Sequence, residues 1–342
     1  MRILVTGGAG FIGTHVTRML AELGHDVLAL DTLRPDVHRH QAPAIPQLIR
    51  ADVRDGDAVA AALRGVHAVA HLAAKVGLGV GMSDLEDYVA SNDLGTAVLL
   101  REMAGAGTPR LVLASSMVVY GEGGYRCAEH GRVPAAARTE ADLAAGCFEP
   151  RCPHCHRRLD PTVIGEDAAL DPRNGYAAIK VAQEHLAAIW ARQSAGTATA
   201  LRFHNVYGPG LPCDTPYAGV AALFLSALRS GTAPRVFEDG GQRRDFVHVR
   251  DVAGAVAVAI GREDGGTLRP YNVGSGRVTT VGELAGALAR ATGGPAPVVT
   301  GDYRLGDVRH ITASSRRIAA ELGWAATTDL AQGLAELATP VG

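Results

Sequence analysis

Tyr176 and Lys180 stand four residues apart in Asn174-Gly175-Tyr176-Ala177-Ala178-Ile179-Lys180. In a helix that spacing puts both side chains on one face. A cationic amine beside a phenol stabilises the phenolate, so the phenol pKa is expected to fall from about 10 toward working pH. Such a phenol exchanges a proton with an alcohol. The spacing occurs often by chance, so it needs company. Leu111-Val112-Leu113-Ala114-Ser115-Ser116 is an apolar strand that ends in two hydroxyls, and Val119-Tyr120-Gly121 follows it. Hydroxyls at the C-terminal end of a strand stand where open α/β sheets bind ligands.

Gly7, Gly10 and Gly13 form a G-x-x-G-x-x-G pattern between a short apolar run and a helical stretch. Glycines at this spacing allow a tight turn, close approach of backbone to a pyrophosphate, and close packing of helix on strand. Asp31 ends the second strand candidate, 24 residues after Gly7. A carboxylate there accepts hydrogen bonds from both ribose hydroxyls and repels a 2′-phosphate, which points to NAD over NADP. Arg34 nearby works slightly against that preference.

The five cysteines are unevenly spread, and four lie between Cys127 and Cys155. Cys127 and His130 make one x₂-spaced pair, and Cys152 and Cys155 another, with residues 131–151 between them. Two such knuckles resemble a zinc ribbon with Cys₃His ligation. Cys147, His154 and His156 are competing ligands. Four protein ligands leave no open position for water, so a structural zinc is expected.

These residues need a frame. Arg2–Thr6, Asp26–Leu30, Ala68–Ala73 and Arg110–Ala114 are strand candidates. Phe11–Leu23, Asp57–Leu63, Asp84–Ala104 and Asn174–Gln193 are helix candidates, and Ala198–Phe203 is a further strand. Strand and helix in alternation predict a parallel sheet covered on both faces. The stretch from Glu122 to about Arg173 is rich in Pro, Arg, Cys and Gly. So long a loop without structure is improbable in a compact domain, so it should carry its own small fold.

Composition narrows the partners. Of 342 residues, 47% are apolar and 20% charged, with a formal net charge of −2. No basic field is available for nucleic acid or anionic membrane. No run of 18 apolar residues is present, so no membrane span is expected. Met1-Arg2-Ile3-Leu4-Val5-Thr6 runs at once into glycines, too short for a signal core, so a cytoplasmic chain is expected.

The chain resembles the extended short-chain dehydrogenase/reductases, in the NAD-dependent nucleotide-sugar epimerase/dehydratase family. The resemblance covers nearly everything except about Glu122–Arg173. It rests on Thr6–Gly13, Asp31, Asp52-Val53, His71-Leu72-Ala73-Ala74, Asn92, Ser115-Ser116, Val119-Tyr120-Gly121 and Tyr176/Lys180. It continues in Asn205-Val206-Tyr207-Gly208-Pro209, Arg243–Val249, Asn272–Gly276 and Arg304–Asp307. The cysteine-bearing insertion and Asp214–Gly219 are most similar to dTDP-L-rhamnose 4-epimerase-like proteins.

The resemblance implies an α/β fold: a Rossmann-type doubly wound parallel sheet, a smaller C-terminal α/β substrate lobe and a small zinc-ribbon-like insertion. Residues 1–121 and 174–207 would bind NAD, 122–173 would be the insertion, and 208–342 mainly the substrate lobe, with room for some of its segments to return to the Rossmann domain. Gly7, Gly10, Phe11, Ile12 and Gly13 would cradle the cofactor phosphates, with Asp31 on the ribose. Asp52 and Val53 would flank the adenine. Leu72, Ala73, Ala74, Asn92 and Ser115 would complete the cofactor site. Ser116 would hydrogen-bond the reacting hydroxyl beside Tyr176, and Lys180 would bind the nicotinamide ribose. Asn205, Arg244 and Arg304 would hold the substrate diphosphate, a role suited to arginine's forked donors. A homodimer is also implied.

Departures from the family pattern select the reaction. The 4,6-dehydratases carry Asp-Glu directly after the catalytic hydroxyl, where this chain has Met117 and Val118. Family decarboxylases use Glu, and 3,5-epimerases Cys, where Val118 stands. What remains is 4-epimerisation of a nucleotide sugar with tightly bound NAD. A nucleotide-sugar 4-ketoreductase is the alternative, and a cofactor-sensing scaffold a remoter one.

Overall fold

The computed structural model describes residues 1–35, 38, 45–76, 82–213 and 219–339. Seven strands form one sheet, in the order Leu268–Val273, Thr197–Phe203, Arg110–Ser116, Ala68–His71, Arg2–Thr6, Asp26–Asp31, Leu48–Arg50. Every neighbouring pair runs parallel. All seven C-terminal ends therefore emerge at one edge, and the polar residues of interest lie there or just beyond.

The central strands are apolar on both faces because helices cover both. Ile3 and Val5 pack with Val16 and Leu20 of the Phe11–Glu22 helix and Val252 and Val256 of the Val249–Ile260 helix. Leu4, between them, joins the opposite layer with Val59, Leu99, Met103 and Trp190. That reversal at each residue is the two-residue period of a strand.

The expected elements appear with shifted ends. The strand after Asp26 runs on through Asp31, the one from Ala68 stops at His71, and the one from Arg110 continues to Ser116. The stretch expected as one helix over Asp84–Ala104 is interrupted: a π turn spans Val89–Leu94 before regular helix resumes over Gly95–Ala106. Two sheet strands lacked a sequence signal. Leu48–Arg50 and Leu268–Val273 are the edge strands, and their outer residues are only half-buried, so neither shows a clean apolar run.

Leu268–Val273 returns to the large sheet, and the Val249–Ile260 helix packs on the first helix. These two segments of the chain beyond Gly208 thus return to the layers of the large sheet, as the sequence reading allowed. The remaining parts of that stretch gather around Phe224, Leu225, Leu284, Leu288 and Leu334 beside a small sheet of Asn205–Tyr207, Arg243–His248 and Val278–Thr280.

The segment after Gly121 has a fold of its own. Gly124–Cys127 pairs antiparallel with Gly131–Arg132 and with Asp160–Thr162. Tyr125, Cys127, Ala135, Cys152 and Leu159 form its small core. No helix among the described residues is long and apolar enough to cross a membrane.

One buried ion pair fixes the Gly175–Ser194 helix on the sheet. Arg202 Nε and Nη2 donate to Glu184 at 2.9 and 2.7 Å, with both side chains almost fully buried. Removing one partner strands the other charge away from water. Glu184→Gln is therefore expected to lower the unfolding free energy by about 3–5 kcal/mol. Urea denaturation checks this; a loss below about 1 kcal/mol would show that the pair behaves as a solvated surface bridge.

Candidate active site

The first turn after Arg2–Thr6 has room for backbone only. Gly7 has φ +69, and a β-carbon there would lie 2.7 Å from Ala73 N. A β-carbon on Gly13 would lie 2.0 Å from Gly7 O. Gly10 caps the Phe11–Glu22 helix with no side-chain bond, and no acidic residue stands in that helix's first turn. The N–H groups around Phe11 and Ile12 thus remain oriented toward an anion. A dinucleotide pyrophosphate fits such a cradle.

Asp31 ends the neighbouring strand and is nearly buried. Its Oδ2 accepts the Ala9 N–H at 3.1 Å and its Oδ1 the Leu33 N–H at 2.9 Å. Those bonds hold the carboxylate beside the glycine turn, with further lone pairs left for ribose hydroxyls. Arg34 pairs with Asp87 at 3.8 Å. Asp52 follows the Leu48–Arg50 edge strand and takes two bonds from the Arg54 guanidinium, at 3.0 and 2.7 Å. Those bonds hold its carboxyl below the ordinary range. Val53 is buried against Gly95, where a β-carbon would stand 2.6 Å from its Cγ1.

Leu72, Ala73 and Ala74 are half-buried just past the Ala68–His71 strand. Asn92 lies in the π turn and is fully buried. Its Oδ1 accepts the Lys75 N–H at 2.7 Å, and its Nδ2 donates to Lys75 O at 2.9 Å. The Asn92 side chain is thus a clip on the Leu72–Lys75 loop. Ser115 Oγ donates to Glu184 of the Gly175–Ser194 helix at 2.5 Å.

Ser116 is half-buried and caps a 3₁₀ turn over Met117–Tyr120, accepting the Val118 N–H at 3.4 Å. The Gly175–Ser194 helix packs on that turn and on the Arg110–Ser116 strand. It begins at Asn174, whose side chain accepts the Ala177 N–H at 2.9 Å. Tyr176 and Lys180 are thereby carried to the sheet edge where Ser116 stands. Lys180 Nζ lies 5.8 Å from the centre of the Tyr176 ring and donates to Ala114 O at 2.9 Å.

The electrostatics correct one expectation. Burial pushes the Tyr176 phenol up, and neighbouring Tyr88 adds to this. The phenol was expected to be lowered by Lys180. That cation is itself weakened: burial pushes its ammonium down to about 8. Desolvation of Lys180 outweighs the support that Asp93 and Glu184 give its charge.

Three polar groups near this pair were given no role in the sequence, although His71 lies in a matching motif. Asp93, next to Asn92, has a buried Oδ1 with no hydrogen-bond partner. Burial pushes its carboxyl up to about 6, while Lys180 pulls the other way. His71 pairs through Nδ1 with Thr6 Oγ1 at 2.7 Å and through Nε2 with Thr96 Oγ1 at 3.0 Å. Burial pushes that imidazole down to about 3, so it is neutral. Gln183 Nε2 donates to Thr96 Oγ1 at 2.6 Å. A histidine and an aspartate inside apolar stretches were the available clues.

The three residues expected at a substrate diphosphate differ in setting. Asn205 is half-buried, and its Oδ1 has no partner. Arg304 is exposed and stands over the Phe237 ring at 5.1 Å. Arg244 is half-buried; its Nη1 donates to Arg243 O and Arg309 O, both at 2.9 Å, and its Nη2 to Val308 O at 2.6 Å. Nε and the second Nη2 hydrogen remain, which is the side-on fork that takes a phosphate bidentately. Asp214–Ala218, part of a segment singled out in the sequence, lies outside the described residues.

In the insertion Cys127, His130, Cys152 and Cys155 converge, with their ligand atoms all within 4.8 Å of one another. Cys127 Sγ lies 3.6 Å from Cys155 Sγ and 3.5 Å from His130 Nδ1. Cys152 Sγ lies 3.6 Å from that same nitrogen. A tetrahedral zinc with bonds of about 2.3 Å to sulfur and about 2.0 Å to nitrogen spaces its ligand atoms about 3.5–3.8 Å apart. The donor set and spacing fit zinc. Cys147, His154 and His156 are not in that group: Cys147 is exposed, and the His154 ring lies 5.0 Å from the His130 ring, tilted 45° to it.

Comparison with known proteins places these features in context. The model of the "NAD dependent epimerase/dehydratase family" matches residues 3–141 and 153–274. The dTDP-L-rhamnose 4-epimerase of Burkholderia thailandensis is 34% identical over 348 residues, 99% of this chain and 94% of that protein. The UDP-glucose 4-epimerase of Mycolicibacterium smegmatis is 33% identical, over 98% of this chain and 97% of that one. Among solved structures, MoeE5 in complex with UDP-glucuronic acid and NAD superposes with a TM-score of 0.78 at 31% identity, covering 99% of this chain and 98% of that one. The Thermus thermophilus UDP-glucose 4-epimerase complex with NAD superposes at 0.77 and 30% identity, covering the same shares. The glycine turn, Asp31 and the Tyr176/Lys180 helix thus sit on a chain that belongs to the NAD-dependent epimerase/dehydratase family.

Proposed function

We propose that this protein is a nucleotide-sugar 4-epimerase, with a dTDP-sugar such as dTDP-L-rhamnose as substrate and NAD held in the glycine cradle. The chemistry supplied by bound NAD is reversible hydride transfer at carbon. Tyr176 exchanges the proton of the C4 hydroxyl, and Ser116 holds that oxygen by hydrogen bond. Lys180 supplies the cation beside them. Asn205, Arg244 and Arg304 bind the diphosphate.

The observation that carries this assignment is the turn after Ser116. Met117, Val118 and Val119 carry no titratable group, and the Tyr120 phenol donates to Asn272 Oδ1 at 2.8 Å. Burial pushes that phenol up to about 12. Water loss, decarboxylation and carbanion chemistry all need a proton carrier there, whereas inversion at C4 needs none. The named activities of the relatives point the same way, and the sugar and base follow the dTDP-L-rhamnose relative.

The purified protein, given dTDP-L-rhamnose in D₂O without added cofactor, is expected to form the C4 epimer with no deuterium at carbon, as read by NMR. Deuterium at C3 or C5 would overturn the assignment, and a requirement for added NADPH would favour a ketoreductase. Tyr176→Phe is expected to lower turnover by about 10²–10⁴-fold while the dinucleotide stays bound.

The Cys127, His130, Cys152 and Cys155 cluster is assigned to one structural zinc. Metal ligation lets a segment with so small a core hold a fold. Elemental analysis should find about one zinc per chain. Cys152→Ser should lower both zinc content and melting temperature. A wild-type protein without zinc ends this assignment.

A homodimer is assigned to the helical face bearing Val89, Leu94 and Ile189, which are 44%, 51% and 51% exposed. Burying such side chains between two copies is favourable. Sedimentation equilibrium should give twice the chain mass, and Ile189→Glu should shift it toward monomer; a wild-type monomer at micromolar concentration rules this out.

A further inference from the structure

The insertion does more than fold beside the site. Arg244 is held by the carbonyls of Val308 and Arg309. The chain from Asp307 to His310 is in turn gripped by insertion residues. Glu122 accepts the Arg309 N–H at 3.2 Å from each carboxylate oxygen. Tyr125 OH accepts the His310 N–H at 3.2 Å, and the Gly123 N–H donates to His310 O at 2.9 Å. Arg138 Nη2 donates to Asp307 O at 2.6 Å.

Glu149 is the centre of this grip. Its Oε1 accepts Arg309 Nε and Nη2 at 3.1 and 2.8 Å. Its Oε2 stands 2.8 Å from His310 Nε2. His310 Nδ1 accepts the Arg243 N–H at 3.1 Å, so Nε2 carries the hydrogen that Glu149 accepts. His310 is thereby locked between Glu149 and the backbone next to Arg244.

On the far side, Glu238 receives both arginines: Arg138 Nη1 on Oε1 and Arg309 Nη1 on Oε2, each at 2.7 Å. Glu238 is 3% exposed and sits at φ +53, a left-handed conformation that costs a non-glycine residue about 1 kcal/mol. The two ion pairs hold it there. Arg309 itself is 1% exposed among these carboxylates, so its charge is spent on position and is not offered to a ligand.

We propose that the insertion is a positioning module for the substrate diphosphate, in which Glu149 and Arg138 act through Asp307–His310 to present the free fork of Arg244. The proposal rests on the nucleotide-sugar reading above. Neither residue touches substrate. Both fix the carbonyls that occupy one side of the Arg244 guanidinium, so that its Nε–Nη2 edge faces the anion. Loss of either releases Asp307–His310, and Arg244 then loses its preorganised direction.

The test measures dTDP and UDP binding to the full chain by calorimetry. Glu149→Gln keeps the shape of the side chain and removes its charge. It is expected to weaken the better-bound diphosphate about tenfold. Arg138→Gln, which removes the Asp307 and Glu238 bonds from the other side, should weaken it in the same direction and guards against one variant misfolding. Arg244→Met should weaken it at least as much. In the Arg244→Met background, Glu149→Gln should then change binding by less than about twofold. A merely structural role for Glu149 would not vanish when Arg244 is gone. With a turned-over nucleotide sugar, the Glu149→Gln effect should fall on KM more than on kcat. If the wild type binds a diphosphate and Glu149→Gln binds it equally well, the positioning role is overturned while the functional reading stands. Additive losses in the double variant overturn it as well. If the wild type binds neither diphosphate, the nucleotide-sugar reading fails and the proposal falls with it.

Discussion

Backbone packed on backbone, with no side chains between, is the constraint on which the cofactor edge depends. The Gly7 turn meets the Phe11–Glu22 helix at Gly13 and the loop after Ala68–His71 at Ala73, at distances that would place added β-carbons 2.0 and 2.7 Å from main-chain atoms. Three segments are thereby held close enough for their N–H groups to surround one anion. The parallel sheet makes this possible, because Arg2–Thr6 lies between Ala68–His71 and Asp26–Asp31 and all three end at the same edge. Asp31 and the Leu72–Lys75 loop arrive there as consequences of strand order. Asn92 then clips that loop from the π turn over Val89–Leu94.

The same burial that shapes the edge sets its proton chemistry. Tyr176 and Lys180 sit where water is scarce, and scarcity acts against both charged forms. The phenol is pushed up and the ammonium down to about 8. Both groups therefore keep their protons at neutral pH. Asp93, pushed up to about 6 with an unpartnered oxygen, belongs to the same low-dielectric region.

What could be read from the residues was local. The glycine spacing, the Asp31 offset, the Tyr176/Lys180 helix and the Cys/His knuckles each lie within one or two elements, and short-range rules suffice for them. Both edge strands of the sheet escaped because half-exposed edges lose the apolar run that marks a buried strand. The direction of the Tyr176 shift was misjudged because spacing reveals a neighbouring cation but not how deeply both groups are desolvated. The partner of the Ser115 hydroxyl, Glu184, lies 69 positions further on, beyond what local spacing reveals. Arg244 shows the limit most clearly. The motif marks it as an anion binder, but the carbonyls of Val308 and Arg309 that orient it are over 60 positions away, 64 and 65 in the chain.

The insertion is anchored by different physics at its two ends. At one end thiols and an imidazole converge on a metal-sized space beside a core cluster of only five buried side chains. At the other end, Arg309, Arg138, Glu149 and Glu238 are buried charges that bond one another. Such a cluster adds little net stability, since desolvation offsets most of the attraction. What it adds is a single geometry, because each carboxylate oxygen already has its partner and a shifted arrangement would leave a charge unpaired in low dielectric. An apolar patch of equal area would have held the insertion more firmly and more loosely at once: strong adhesion, with no preferred register. A segment whose work is to aim one guanidinium needs register more than adhesion, and that is the property buried ion pairs supply.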